Sequence, residues 1–173
     1  MTLLEYGEEI RRRRVEKYRE YDILMDRRQS ATTLIIAGSK AEGLTSWAES
    51  DIDLLNVLKS VICVEAGVDL HSIPDYMEVY SMDTRVYPGH CRMILQRPSS
   101  TGVTLCNNAL CDDGQGNALL SSSLLLDEFS KLKYYVGVPL ERTGPSLPVS
   151  GIYGLNIDIV PAINCQCPGI LQR

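Results

Sequence analysis

With 173 residues, 45% of them hydrophobic and 23% charged, the chain is long enough to bury a core without disulfide or metal staples, and its balance is that of a soluble globular protein. A net charge of −5 excludes an overall basic field for nucleic acid. No apolar run approaches the roughly 18–20 residues of a membrane helix, and the opening MTLLEYGEEIRRRR turns charged too early to hold the apolar segment of a secretory signal.

On that reading the chain is expected in the cytoplasm, with its six cysteines, Cys63, Cys91, Cys106, Cys111, Cys165 and Cys167, reduced. The tightest pair, Cys165-x-Cys167, has one intervening residue, whereas structural zinc usually takes about two to four and a second pair elsewhere. Nothing in the spacing joins His90-Cys91 to it. The cysteines therefore read as small core hydrophobes.

Taken in chain order, residues 4–28 form one long helix. Tyr6, Ile10, Val15, Tyr18, Tyr21, Leu24 and Met25 recur near helical spacing. Acidic residues come early and Arg27-Arg28 late, as the helix dipole prefers. The run Arg11, Arg12, Arg13 and Arg14 spans a whole turn, so it cannot share one face. It reads either as solvated surface paired with Glu8, Glu9, Glu16 and Glu20, or as a contact for nucleic acid or a partner.

Residues 32–37, TTLIIA, are a β-branched strand ended by Gly38-Ser39, and KAEGL is a short helical turn. Residues 51–65 are one long strand, or two with a break near Lys59-Ser60. Residues 77–82 and 91–96 are strands separated by the turn YPGH. NNALCDDGQGNA is a polar loop, and residues 120–133 are a helix docking Leu124, Leu125 and Phe129 inward. Residues 137–151 carry three Pro and three Gly and read as a loop. Residues 155–165 form a last strand whose Pro161 marks its end or an edge. Strands and helices are mixed, so the class is α+β or α/β.

Chemistry concentrates around Asp51 and Asp53. Residues i and i+2 of a strand point to one face, about 7 Å apart, and two such carboxylates repel unless a cation joins them. Magnesium takes one or two carboxylates plus substrate phosphates. Gly38 after a strand lets a backbone approach phosphate closely, and Ser39 adds a hydroxyl. Eleven residues separate Ser39 from Asp51, enough for a strand-loop-strand return. Asp158, set among apolar residues on a strand, is the best third acid for a two-metal site. Asp112-Asp113 is the rival and ranks lower, because it sits in a loop.

These residues reach a known family. AGSKAEGL, ESDIDLLNVL, MDTRVYPGHCRM, ERTGPSLP and IDIVPAINCQCPGILQR together resemble the Mab-twenty-one family of the nucleotidyltransferase fold, which includes cyclic GMP-AMP synthase and the cyclic GMP-AMP synthase-like receptors of innate immunity. The resemblance covers most of residues 1–173 as a single lobe. It implies an α+β fold, a mixed twisted sheet flanked by helices with a long N-terminal spine helix. It also implies two Mg²⁺ (or Mn²⁺) ions on Asp51, Asp53 and Asp158, with Asp158 beside the attacking ribose hydroxyl and Gly38 and Ser39 on the donor triphosphate. Active members join ATP and GTP into a cyclic dinucleotide after double-stranded nucleic acid, RNA or DNA, binds near the spine helix. The family's C-terminal helical lobe is expected beyond Arg173 and is missing from this chain. The resemblance also admits an inactive or truncated module that binds nucleotide or a protein partner without chemistry.

Overall fold

The structure is a computed structural model and describes residues 3–26, 31–46, 48–49, 51–102, 104–132, 137–142, 144–151 and 155–167. It is a mixed α+β arrangement of two compact units, one drawn from Met1–Val57 with Lys133–Ala162, the other from Leu58–Leu132 with Ile163–Arg173. Among the described residues no helix is long and apolar enough to cross a membrane.

The first unit opens with α1, Leu3–Asp26. Its inward side carries Ile10, Val15 and the buried Tyr18, then Tyr21 and Met25, at the helical spacing expected. Leu24, expected on that side, is 56% exposed, because its position turns it away from the Tyr18–Tyr21 stripe. The expected basic end at Arg27 and Arg28 lies outside the described residues. Two acids near the end of α1 tie it to β1, Thr32–Ala37: Asp22 Oδ1 accepts from the Ile36 amide at 2.9 Å, and Asp26 Oδ1 from the Thr33 hydroxyl at 2.8 Å. β1 leads directly into α2, Gly38–Ala41, and pairs with β2, Ile52–Val64. β2 is one strand with no break at Lys59-Ser60, and it continues into the second unit.

The expected loop over residues 137–151 contains two strands, β7 at Gly137–Pro139 and β8 at Leu147–Gly151. Leu147 and Val149 are buried while Pro148 and Ser150 are less so, a period of two that the prolines mask in the sequence. β8 pairs antiparallel with β9, Asn156–Gln166, from Ser150↔Asn156 to Leu147↔Ile159. Pro161 lies inside β9 and ends nothing. It falls just past the last pair with β8, where a missing N–H breaks no bond of that ladder.

In the second unit, β2 pairs in parallel with β3, Glu78–Asp83, from Val61↔Glu78 to Val64↔Ser81. The crossover packs Ile73 against Val64 and Val79. The Arg97 guanidinium holds it through the carbonyls of Leu70, Ile73 and Pro74 at 3.0, 2.8 and 2.9 Å. β4, Arg92–Arg97, runs antiparallel to β3. The expected loop at NNALCDDGQGNA is a hairpin of β5, Leu110–Asp112, and β6, Ala118–Leu120, and β6 pairs with β4. Then α3, Ser122–Ser130, is capped by the Ser121 hydroxyl and buries Leu125, Leu126 and Phe129. Leu126 takes the place expected of Leu124, which is 37% exposed.

A buried polar cluster fixes β3. Glu78 and Tyr80, two apart and so on one face, are both buried, and the Tyr80 hydroxyl and the Thr104 hydroxyl both donate to the Glu78 carboxylate. Burial pushes the Tyr80 phenol well up, which keeps it a proton donor. Tyr80→Phe deletes one donor to a buried acid and is expected to cost about 1–3 kcal/mol. Urea unfolding checks this, and an unchanged midpoint contradicts it.

Candidate functional site

Every residue singled out as a main site candidate belongs to the first unit. β1 reaches Ala37 in extended conformation, and Gly38 then turns the chain with φ of +64°. That left-handed conformation favours glycine. A second constraint acts at the same residue. A Cβ placed on Gly38 would run into the Asp53 carboxylate, overlapping Oδ2 and standing 3.2 Å from Cγ. The backbone at the strand end and the second acid of Asp-x-Asp are therefore immediate neighbours. This is the close return anticipated from the spacing of Ser39 and Asp51.

The turn after α2 is built from its own backbone and clamped by α1. The Leu44 amide donates to the Ser39 carbonyl at 2.9 Å, and the Gly43 amide to that of Lys40 at 2.9 Å. Ser39 Oγ and Thr45 Oγ1 stand 3.1 Å apart. From α1, Arg11 Nε donates to the Glu42 carbonyl at 2.9 Å, Arg14 Nη1 to that of Leu44 at 3.2 Å, and the Tyr18 hydroxyl to that of Thr45 at 3.3 Å. Gly43, with φ of +70°, lets α1 seat against it: a Cβ there would meet the Arg11 carbonyl and, at 2.9 Å, Val15 Cγ2. The arginine run thus divides. Arg11 and Arg14 hold this turn, while Arg12 and Arg13 pair along the helix with Glu16 and Glu9 and stay largely exposed.

Lys40 is the residue that the sequence reading missed. Its side chain is buried, only 1% exposed, and Nζ donates to the Ser46 carbonyl at 3.0 Å. Burial pushes its pKa down, and the nearby carboxylates of Asp51, Glu49 and Asp53 offset part of that. A buried ammonium beside Asp-x-Asp gives those acids a positive neighbour from within the chain. The available signal was the lysine directly after Gly38-Ser39, which reads as surface by type. Glu49 is held below the usual carboxylate range, first by the Ser46 amide, which donates to it at 2.6 Å.

Asp51 is exposed and immediately precedes β2, while Asp53 is half-buried within it. Asp158 is half-buried on β9, the strand next to β2 in the sheet, and accepts from the Ser146 hydroxyl at 3.3 Å. The rival pair Asp112 and Asp113 lies at the β5–β6 turn. There Asp113 Oδ1 accepts the amides of Gln115 and Asn117 at 2.8 and 3.0 Å, and Asp112 accepts that of Gly114. These two acids shape a hairpin.

The donor set of Asp51, Asp53 and Asp158 is all carboxylate oxygen, which suits magnesium or manganese and not zinc. Among the described residues no group of three or more His, Cys, Asp or Glu already stands at the spacing that holds an ion. Asp53, beside the Gly38 backbone, fits an ion shared between one or two carboxylates and the phosphates of a substrate. No family model matches the chain, and no curated protein matches it.

Proposed function

We propose that this chain is a metal-dependent nucleotidyltransferase of the cyclic GMP-AMP synthase-like kind, which uses ATP and GTP to make a cyclic dinucleotide in innate immune sensing. The observation that carries the reading is the Gly38–Asp53 approach. A strand-end glycine, with no room for any side chain, lies against the acid that opens the next strand. That is what a site requires when one ligand must touch a phosphate-binding backbone and a metal-binding carboxylate together.

In this reading Gly38 and Ser39 take the donor triphosphate, and Asp51 and Asp53 hold Mg²⁺. Asp158, from the neighbouring strand, completes the acid set and receives the proton of the attacking ribose hydroxyl. A Mg²⁺ ion held by Asp51 and Asp53 would supply neutralisation of phosphate charge. Arg11, Arg14 and Tyr18 keep the turn in place by gripping three of its carbonyls. Lys40 holds the turn from inside through Ser46.

The test is incubation of the whole chain with labelled ATP and GTP and Mg²⁺ or Mn²⁺, with and without double-stranded RNA or DNA. A product that disappears in Asp51→Ala supports the reading. One observation favours a second reading, a nucleotide- or partner-binding module without chemistry: Lys40 already supplies a cation to Asp51 and Asp53. Retained nucleotide binding with no product selects that module.

The exposed Arg12 and Arg13 are the arginines left for double-stranded nucleic acid. Reversing both to Glu is expected to weaken such binding and flatten its salt dependence, while thermal stability changes little. An absence of salt-sensitive binding in the unaltered chain contradicts this.

A further inference from the structure

The cations around the turn after α2 are engaged with its backbone. Arg11 Nε donates to the Glu42 carbonyl at 2.9 Å, Arg14 Nη1 to that of Leu44 at 3.2 Å, and the buried Lys40 Nζ to that of Ser46 at 3.0 Å. Two hydroxyls stand at the same turn. Ser39 Oγ and Thr45 Oγ1 are 3.1 Å apart, and both residues are half-buried. One of the two donates to the other, so each has its orientation set by its partner. Thr45 is the stiffer member. Its branched Cβ restricts χ1, and its backbone is fixed from α1, where the buried Tyr18 hydroxyl donates to the Thr45 carbonyl at 3.3 Å. The Leu44 amide, one residue earlier, donates to the Ser39 carbonyl at 2.9 Å and draws the two stretches together. Ser39 is unbranched, and its hydroxyl rotates to suit its partners.

We infer that Thr45 is the positioning residue for Ser39: its hydroxyl fixes Ser39 Oγ in the direction from which it meets a phosphate oxygen of a nucleoside triphosphate. The inference rests on the reading of Gly38 and Ser39 as the triphosphate-binding turn, and it adds a residue that the Gly-Ser pair does not contain. A phosphate oxygen is charged, so a hydroxyl aimed at it makes the stronger kind of hydrogen bond. A hydroxyl that must first be ordered gives up part of that gain. Thr45 acts through Ser39, so its effect depends on Ser39 being present.

The test is a double-mutant cycle on the whole chain, read by calorimetric titration with ATP and Mg²⁺. Thr45→Val keeps the shape of the side chain and removes its hydroxyl. It is expected to weaken ATP binding roughly tenfold, the worth of about one hydrogen bond. Thr45→Ala gives the same loss and serves in place of valine if valine unfolds the turn. Thr45→Ser, which keeps the hydroxyl, binds ATP as the unaltered chain does. In a Ser39→Ala background Thr45→Val costs nothing further, because the group it positions is gone. A merely structural role for Thr45 predicts the same further loss in that background. Full ATP affinity in Thr45→Val and Thr45→Ala, no recovery in Thr45→Ser, or an undiminished loss in the Ser39→Ala background overturns the inference and leaves the triphosphate reading standing. An unaltered chain that binds no ATP with Mg²⁺ overturns both.

Discussion

Replacing Asp53 with alanine is expected to abolish Mg²⁺-dependent nucleotide binding and any turnover, with a far smaller effect on folding. Asp53 is half-buried on β2, and its carboxylate is the group that lies against Gly38. Removing it takes away one of the two acids at the turn and leaves Asp51, which is exposed and can hold an ion only weakly alone. It also removes one of three acids around the Lys40 ammonium, so that buried cation is held by Asp51 and Glu49. The variant should therefore unfold cooperatively, near the wild-type midpoint, while losing metal-dependent affinity. Unfolding curves and equilibrium binding, each with and without Mg²⁺, separate the two effects. Metal dependence unchanged in Asp53→Ala contradicts the assignment.

Gly38→Ala is expected to damage both the stability of the first unit and the proposed site. The left-handed backbone costs an L residue roughly 1–2 kcal/mol, and the added Cβ also displaces the Asp53 carboxylate. Gly89 provides the internal comparison: its φ is +78°, and a Cβ there meets nothing within 4 Å. Gly89→Ala should therefore show the backbone cost alone. Gly38→Ala should be less stable than Gly89→Ala and should also lose triphosphate binding, whereas Gly89→Ala keeps it. Equal losses of stability with binding intact in both would remove the close approach as a functional feature.

Residues 32–37 were legible to the residue because a β-branched run closed by Gly-Ser leaves one solution. The long first helix was legible for the same kind of reason, a sustained apolar stripe. What stayed hidden was structure whose local signal contradicts its tertiary role. β7 and β8 lie in a stretch dense in Pro and Gly, and only the alternation of Leu147 and Val149 betrays β8. The β5–β6 hairpin hides in polar residues because Asp112 and Asp113 serve the turn through their own side chains. Leu124 and Leu126 exchange roles because three consecutive leucines do not say which faces inward.

The site shows the same division. Gly38, Ser39, Asp51 and Asp53 were visible as a spacing, and the fold brings Gly38 and Asp53 together. Lys40 was not visible, since nothing local says that a lysine will be buried among acids. Nor was the grip of Arg11 and Arg14 on the turn, because the run reads as charge and its use is steric and directional.

The most direct measurement is calorimetric titration of the whole chain with ATP, in the presence and then in the absence of Mg²⁺. Saturable ATP binding that requires Mg²⁺, and that adenosine does not reproduce, is the predicted result, since the proposed site would recognise phosphates through a metal on Asp51 and Asp53. ATP binding that is indifferent to Mg²⁺, or absent under both conditions, contradicts it and leaves Lys40 as the partner of those acids.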